Sequence, residues 1–264
     1  MVKKRLKQLF VYLALFIMYL PIFVLIIFSF TVSDQVGTWN GFSTELYQKL
    51  VENKELMTAV GNTLLIAFVS AIVSTLLGTL GAIGTFYSSK KVKKAVEGIT
   101  QLPVVNAEIV MALSLAVLFV ALGIKFTFFT LVVGHVVLTI AFVYLSVKPK
   151  LQQMDPNTYE AALDLGATPR NALFKVVLPE ITSGIISGFM LSLTLSLDDF
   201  VITQYLKEPT FETISTYIQK MLSKHPVPAE VRALTTIIFL FAVVVVIINY
   251  FTDRPKTKKL GGIK

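Results

Sequence analysis

The stretch DPNTYEAALDLGATPRNALFKVVLP, which runs from Asp155 to Pro179, decides how the rest of the chain is organised. It is polar and lies between two long apolar segments, so it is too polar to lie in lipid itself. Asp155 before Pro156 is typical of a helix start, because the carboxylate accepts from a free N–H and proline tolerates the first position. Gly166 suits the left-handed residue that follows the end of such a helix.

The second half of this stretch repeats the same signals. The Thr-Pro pair at 168–169 predicts a second helix, which we expect to continue until Pro179 stops it. On the first helix Ala161, Ala162 and Leu165 form a small, shallow apolar face. Such a face suits docking in the groove of a partner protein, while the alternative is an ordinary amphipathic loop that lies on the bilayer.

The same residues resemble the EAA loop of the permease subunits of ABC importers. The positions that match are Glu160, Ala161, Ala162, Gly166, Leu178 and Pro179, and Val176 stands where the family has isoleucine. The resemblance implies a MetI-like ABC permease fold in which these six matching residues couple the chain to a separate ATPase. The helix–turn–helix would then be the coupling helix, seated in a cleft of that ATPase.

Composition places the chain among membrane proteins. It has 264 residues, of which 55% are hydrophobic and 15% charged, with a mean hydropathy of +0.73, whereas soluble proteins carry about 25% charged residues. The absence of cysteine excludes disulfides and thiol chemistry. The net charge of +8 is concentrated beside apolar segments, which argues against nucleic acid as a partner.

Hydropathy predicts an all-α membrane protein with six transmembrane helices in a single permease domain, 1–264. The spans are expected at about 9–30, 57–86, 99–122, 126–147, 181–206 and 233–251, with the coupling loop at 155–179. The first run is too long for a signal peptide. Cytoplasmic termini put 17 of the 24 lysines and arginines inside, as the positive-inside rule requires.

No residues in the sequence indicate catalysis. A phosphate-binding Gly-x-x-x-x-Gly-Lys-Ser/Thr loop is absent from the sequence, so we expect no ATP site in this chain. The two histidines, His135 within a span and His225 in an outer loop, do not have the spacing of a metal site. We expect His135 to be a packed, hydrogen-bonded residue, and the chain to be neither an enzyme nor a metalloprotein.

The fifth span carries two unusual features. Gly184, Gly188, Ser192 and Ser196 recur every four residues and predict close packing of one helix face against a neighbour. Two acidic residues, at 198–199, then interrupt the apolar run, although each costs about 2.5–3.5 kcal/mol at a span centre. We therefore expect the pair to face the bundle interior or a water-filled cavity.

The spans contain no basic residue that could neutralise the two carboxylates, so the pair is suited to bind a cation. Asp198 and Asp199 are the predicted substrate-pathway residues, with Glu108 as a further carboxylate and Phe200 and Tyr205 as nearby aromatics. A polyamine fits this set, because its ammonium groups pair with carboxylates and its methylenes pack on aromatic rings. The alternatives are a structurally satisfied carboxylate pair and a proton-relay or packing role for Glu108.

The segment from Ser196 to Thr203, SLDDFVIT, is similar to that of spermidine/putrescine permeases of the PotC type. The resemblance implies a multi-pass subunit of a bacterial cell membrane that pairs with a paralogous permease subunit. It also implies two copies of a cytoplasmic ABC ATPase, which bind the ATP, and an extracytoplasmic polyamine-binding protein. No cofactor is expected in this chain.

Other functions stay open at this point. An ABC permease for another small solute would share the loop but not the substrate. An ion-coupled secondary carrier would use Asp198, Asp199 and Glu108 for coupling, although six spans without an evident inverted repeat are few for that class. A membrane scaffold or sensor would leave the carboxylates without a transport role.

Overall fold

A computed structural model of the chain describes residues 2–31, 33, 37–224 and 228–252. The described part is helical, and its strand-like pairing is limited to one β-bridge between Thr31 and Phe42. The helices are α1 Val2–Ser29, α2 Glu45–Glu52, α3 Lys54–Phe86, α4 Lys90–Val105, α5 Glu108–Ala121, α6 Phe128–Gln153, α7 Pro156–Asp164, α8 Pro169–Ala172, α9 Leu178–Asp198, α10 Val201–Leu206, α11 Ile214–Lys224 and α12 Glu230–Thr252.

Four apolar helical segments are long enough to cross a membrane: Gln8–Ser29, Lys54–Phe86, Phe128–Gln153 and Pro169–Asp198. A bent pair of helices, α4 with α5, makes a fifth if it is counted as one span. The helix α12 has 23 residues and covers the sixth predicted segment. The predicted all-α membrane fold is thereby confirmed.

The third predicted span, 99–122, is wrong as a single helix. The chain breaks at Asn106 and Ala107, whose backbones are extended, and α4 and α5 meet there at 108°. Pro103 lies inside α4, but the helix ends three residues later, at the asparagine. Glu108 is therefore the first residue of α5, directly after the break, and does not lie inside a continuous helix.

The fifth predicted span, 181–206, also differs from the structure. The helix begins earlier, at Leu178, and Pro179 lies in its first turn, where a missing N–H is tolerated. Pro179 therefore does not stop the preceding helix as predicted, because a π-helical turn, Leu173–Val177, joins α8 to α9. The helix then ends at Asp198, where Asp199 is extended, and α10 starts at Val201.

The described residues divide into two compact units, one within 1–57 and 221–252 and the other Thr58–Lys220. In the first unit α12 packs against α1 and α2. Arg232 of α12 is buried and donates to the carbonyl oxygens of Ser33 at 2.8 Å and Phe28 at 3.3 Å. These bonds satisfy backbone acceptors at and beyond the end of α1.

The second unit is built on the packing of α9 along α6. An added Cβ at Gly184 would lie 3.0 Å from the Ser146 carbonyl, and one at Gly188 would lie 3.1 Å from the Val143 Cα. Ser192 and Ser196 on the same face are buried. The predicted small-residue face is confirmed, and its neighbour is α6.

The segment between α10 and α11 is held by a charged cluster around Glu212. Lys207 lies 2.9 Å from the Glu212 carboxylate, Thr216 donates to it at 2.7 Å, and Asn62 donates to the Glu212 carbonyl at 2.9 Å. Burial raises the pKa of Glu212, but the hydrogen bonds from Lys207 and Thr216 and the charges of Lys207 and Lys220 outweigh burial. The net pKa is therefore below its ordinary value.

Candidate substrate site and docking surface

Two broken helices bring three carboxyl groups together in the second unit. Glu108 at the start of α5 lies close enough to Asp199 and Asp198 for the negative charges to repel one another. Broken helices in a membrane leave backbone groups that must be buried in protein or line a cavity, and they mark binding sites in other transporters.

Asp199 is buried, and its oxygens are already occupied. Its Oδ1 accepts from the Ile202 N–H at 3.1 Å, and its Oδ2 accepts from the Thr203 N–H at 2.8 Å and the Thr203 hydroxyl at 2.7 Å. The side chain therefore satisfies free N–H groups of α10, as a capping residue does. These bonds hold Asp199 at the helix break.

Asp198, in contrast, is solvent-exposed, and within the described ranges no protein donor reaches its side chain. The structure thus separates the two neighbouring acids into one buried and one accessible carboxylate. Phe200 is half-buried at the break, and Tyr205 on α10 is exposed. An exposed, uncompensated carboxylate with aromatic residues nearby is suited to bind an organic cation.

His135 of α6 lies behind Asp199 and is fully buried. Its Nδ1 is 2.7 Å from the Ser196 hydroxyl, its Nε2 is 3.0 Å from the Thr203 hydroxyl, and the same Nε2 is 3.4 Å from Asp199 Oδ2. The prediction of a packed, hydrogen-bonded histidine is confirmed. His225 lies outside the described residues. Among those described, no group of acidic residues and histidines could hold a metal ion.

The two helix starts that the sequence predicts in the loop 155–179 are present. The Asn157 N–H donates to Asp155 at 3.0 Å, and the Asn171 N–H donates to Thr168 at 3.3 Å, so both caps are present. Gly166 has φ +87°, the left-handed value that favours glycine at this position. The loop 155–179 therefore consists of the short helix α7, a tight turn at Gly166, and α8, which continues through the π-helical turn Leu173–Val177 into α9.

The loop 155–179 exposes two large apolar side chains. Leu165 is 89% exposed and Phe174 is 65% exposed, while Glu160 and Ala161 are exposed and Ala162 is half-buried. Large apolar side chains exposed to this degree on a polar loop are suited to contact with another protein. Behind this surface, Tyr159 of α7 contacts Tyr87, just beyond the end of α3, with ring centroids 5.2 Å apart.

Sequence reasoning missed three parts of this site. Phe174 lies outside the first loop helix, for which the sequence predicted a docking face, although a phenylalanine in a polar loop itself indicates a contact surface. The polar side chain of Asn106 in an apolar run indicated the break before Glu108. The partnership of Ser70 with Ser196, at 2.9 Å, left no signal, because it joins residues 126 positions apart.

Comparisons with known proteins agree with this architecture. Residues 74–255 match the family model described as binding-protein-dependent transport system inner membrane component. The chain is 37% identical to the spermidine/putrescine transport system permease protein PotC of Shigella flexneri, over 93% of this chain and 92% of that protein. It is 33% identical to the putrescine transport system permease protein PotI of Escherichia coli (strain K12), over 94% and 90%.

The fold is similar to that of a crystal structure of a bacterial ABC transporter involved in the import of the acidic polysaccharide alginate. The TM-score is 0.70 at 20% identity, covering 97% of this chain and 98% of that one. A second alginate transporter structure, in complex with an alginate pentasaccharide-bound periplasmic protein, gives a TM-score of 0.68 at 20% identity over 95% and 93%. The chain belongs to the family of binding-protein-dependent transport system inner membrane components, as a relative of the PotC permeases.

Proposed function

We propose that this chain is a permease subunit of an ATP-driven polyamine importer and forms the translocation pathway with a paralogous permease subunit. The observation that carries the proposal is the exposed, unpaired carboxylate of Asp198 at a helix break, with Glu108 beside it. The names of the PotC and PotI relatives support spermidine and putrescine as the substrate class. The subunit transports and does not catalyse a reaction.

The residues present suit a polyamine better than a neutral solute. An ammonium group gains a charge-assisted hydrogen bond at a carboxylate, which contributes about 1.5–3 kcal/mol. Asp198 offers that acceptor, while Glu108 lies close enough to take a second ammonium group. Phe200 and Tyr205 add aromatic surface for the methylene chain.

Two copies of a cytoplasmic ABC ATPase would drive the cycle and bind the ATP. The exposed loop surface, with Glu160, Ala161 and Leu165, would sit in the ATPase cleft, and Gly166 would set the angle between the two loop helices. Movement of the ATPase would pass through Tyr159 to Tyr87 and so to α3. An extracytoplasmic polyamine-binding protein would deliver the substrate.

This mechanism places the chain in a bacterial cell membrane with both termini in the cytoplasm. The lysines at the start of α4 and the loop 155–179 then lie on the same, cytoplasmic side. The basic tail after residue 252 is outside the described residues, and its cytoplasmic position rests on the charge distribution in the sequence.

The test is uptake of labelled spermidine by proteoliposomes that contain the complete transporter with ATP inside and loaded binding protein outside. Asp198→Asn should raise the half-saturating concentration about 10–150-fold, which is the loss of one charge-assisted hydrogen bond. Glu180→Gln is the matched control, because Glu180 is an exposed carboxylate at the other end of the same helix. Equal effects of both variants would contradict the proposal.

Two further outcomes separate the alternatives. Uptake of another small solute, without spermidine uptake, would keep the importer and overturn the substrate. An ion-coupled carrier is a second candidate, because Glu108 lies close to Asp198 and Asp199 and such a carboxylate group could couple ion movement to transport. An ion-coupled carrier requires uptake driven by a proton gradient without ATP, and in such a carrier the exposed surface around Leu165 would have no binding partner.

A further inference from the structure

A chain of buried hydrogen bonds connects α3 to the helix break. Ser70 lies 2.9 Å from Ser196, Ser196 lies 2.7 Å from His135 Nδ1, and His135 Nε2 lies 3.0 Å from Thr203, which bonds to Asp199 at 2.7 Å. All five side chains are at least 95% buried. Groups buried so deeply must find their partners within the protein.

The single proton of each hydroxyl gives this chain a direction. The Thr203 hydroxyl donates its one proton to Asp199, so the Thr203 oxygen can only accept from His135. The Nε2 atom of His135 must therefore carry a hydrogen. In the neutral ring Nδ1 then accepts from Ser196, while Ser70, which lies 2.9 Å from Ser196, donates to the Ile66 carbonyl oxygen at 2.5 Å. From Ser196 onward every donor points toward the Asp199 carboxylate, and such aligned chains strengthen one another.

The packing around the ring leaves no freedom to replace these bonds. At Gly134, the neighbour of His135 on α6, an added Cβ would lie 2.7 Å from Ile202 Cγ2 and would also clash with Leu206. The helix α10 therefore lies directly against α6 at the level of the ring. His135 cannot itself touch a solute, since it is fully buried and both nitrogens are engaged.

We propose that His135 is a positioning residue of the substrate site: through Thr203 it fixes Asp199 at the helix break and so aims the neighbouring Asp198 into the pathway. The inference rests on the proposed function, because Asp198 is the group that meets the polyamine there. Loss of the ring leaves Thr203 short of a donor, so the break can shift while α6 and α9 stay packed through Gly184 and Gly188.

The test compares variants of the complete transporter in the uptake assay above. His135→Leu should raise the half-saturating spermidine concentration about tenfold, the effect of one misplaced hydrogen bond. His135→Gln should restore a near wild-type value, because its amide nitrogen reaches the position of Nε2 and donates to Thr203. Thr203→Val should match His135→Leu, and Thr203→Ser should behave as wild type.

Thr139→Val is the matched control. Thr139 is buried on the same helix and donates at 2.8 Å to the backbone carbonyl of His135, not to its ring. The double variant of His135→Leu with Thr203→Val should be no worse than the worse single variant, whereas His135→Leu with Thr139→Val should be additive. Equal effects of Thr139→Val and His135→Leu, or failure of His135→Gln to restore, would overturn the proposal.

Amide hydrogen exchange at Ile202 and Thr203 keeps this test independent of the substrate. His135→Leu should speed exchange there and His135→Gln should not, whatever the transporter carries. If His135→Leu speeds exchange but the wild-type transporter takes up no spermidine, the proposed function is overturned, while the positioning of the helix break by His135 is supported. Unchanged exchange in His135→Leu would overturn the positioning role even if uptake fell.

Discussion

Replacing Asp199 with asparagine should loosen α10 by an amount that the hydrogen bonds define. The carboxylate accepts at Oδ2 from the Thr203 N–H and hydroxyl, and at Oδ1 from the Ile202 N–H. An amide has one oxygen, so if that oxygen keeps the Thr203 bonds, its NH₂ group faces the Ile202 N–H and that bond is lost. Loss of one bond to a buried charged acceptor costs about 1.5–3 kcal/mol.

The amide protons of Ile202 and Thr203 report this cost directly. With local opening at equilibrium, a cost of about 1.5–3 kcal/mol speeds their exchange about 10–150-fold, at 1.36 kcal/mol for each factor of ten. Asp198→Asn is the matched control, because its exposed side chain accepts no bond from α10. Unchanged exchange in Asp199→Asn, or equal acceleration in both variants, would refute the capping role of Asp199.

Three other predictions follow from packing, charge and exposure. Gly78→Ala should destabilise the folded chain by about 1–3 kcal/mol in thermal unfolding, because its Cβ would lie 2.8 Å from Val143, whereas Gly81→Ala meets no atom within 4 Å and should be neutral. In the folded chain the pKa of Glu212 is below its ordinary value, because burial raises it but Lys207 and neighbouring groups lower it more. The Glu212 carboxylate therefore stabilises the folded chain fully above its unfolded pKa, and this stabilisation is lost as pH falls through the folded pKa. Glu212→Gln should thus weaken the dependence of folding stability on pH on the acid side. Leu165→Asp should uncouple ATP hydrolysis from uptake and weaken co-purification of the ATPase, with monomer stability unchanged, because the side chain is 89% exposed.

The loop 155–179 could be predicted closely because its determinants are local. Asp155 and Thr168 cap helices through bonds to residues two and three positions away, and Gly166 adopts the left-handed conformation that its lack of a Cβ permits. None of these bonds needs another part of the chain. The small-residue face of α9 could be predicted equally well, because small side chains repeated every four residues lie on one face of a helix and allow a neighbouring helix to pack closely.

The break between α9 and α10 was not predicted, because a residue distant in sequence helps to stabilise it. The segment 189–208 around Asp199 has no proline or glycine, so the sequence favours a continuous helix there. What stops the helix is a buried carboxylate that binds α10 while His135, 64 positions earlier, supports Thr203. The single-helix expectation therefore failed where tertiary hydrogen bonds outweigh local preference.

The two adjacent acids differ in their electrostatic surroundings because the break falls between them. Asp198 is the last residue of α9, where the partial negative charge of the helix end repels a carboxylate. Asp199 accepts the first N–H groups of α10, where negative charge is stabilised. A cation near Asp198 would therefore relieve repulsion from the helix end, from Asp199 and from Glu108 together. In a continuous helix both acids would have lain within the hydrogen-bonded interior, without this difference, so the break makes Asp198 the point where a positive ligand gains most.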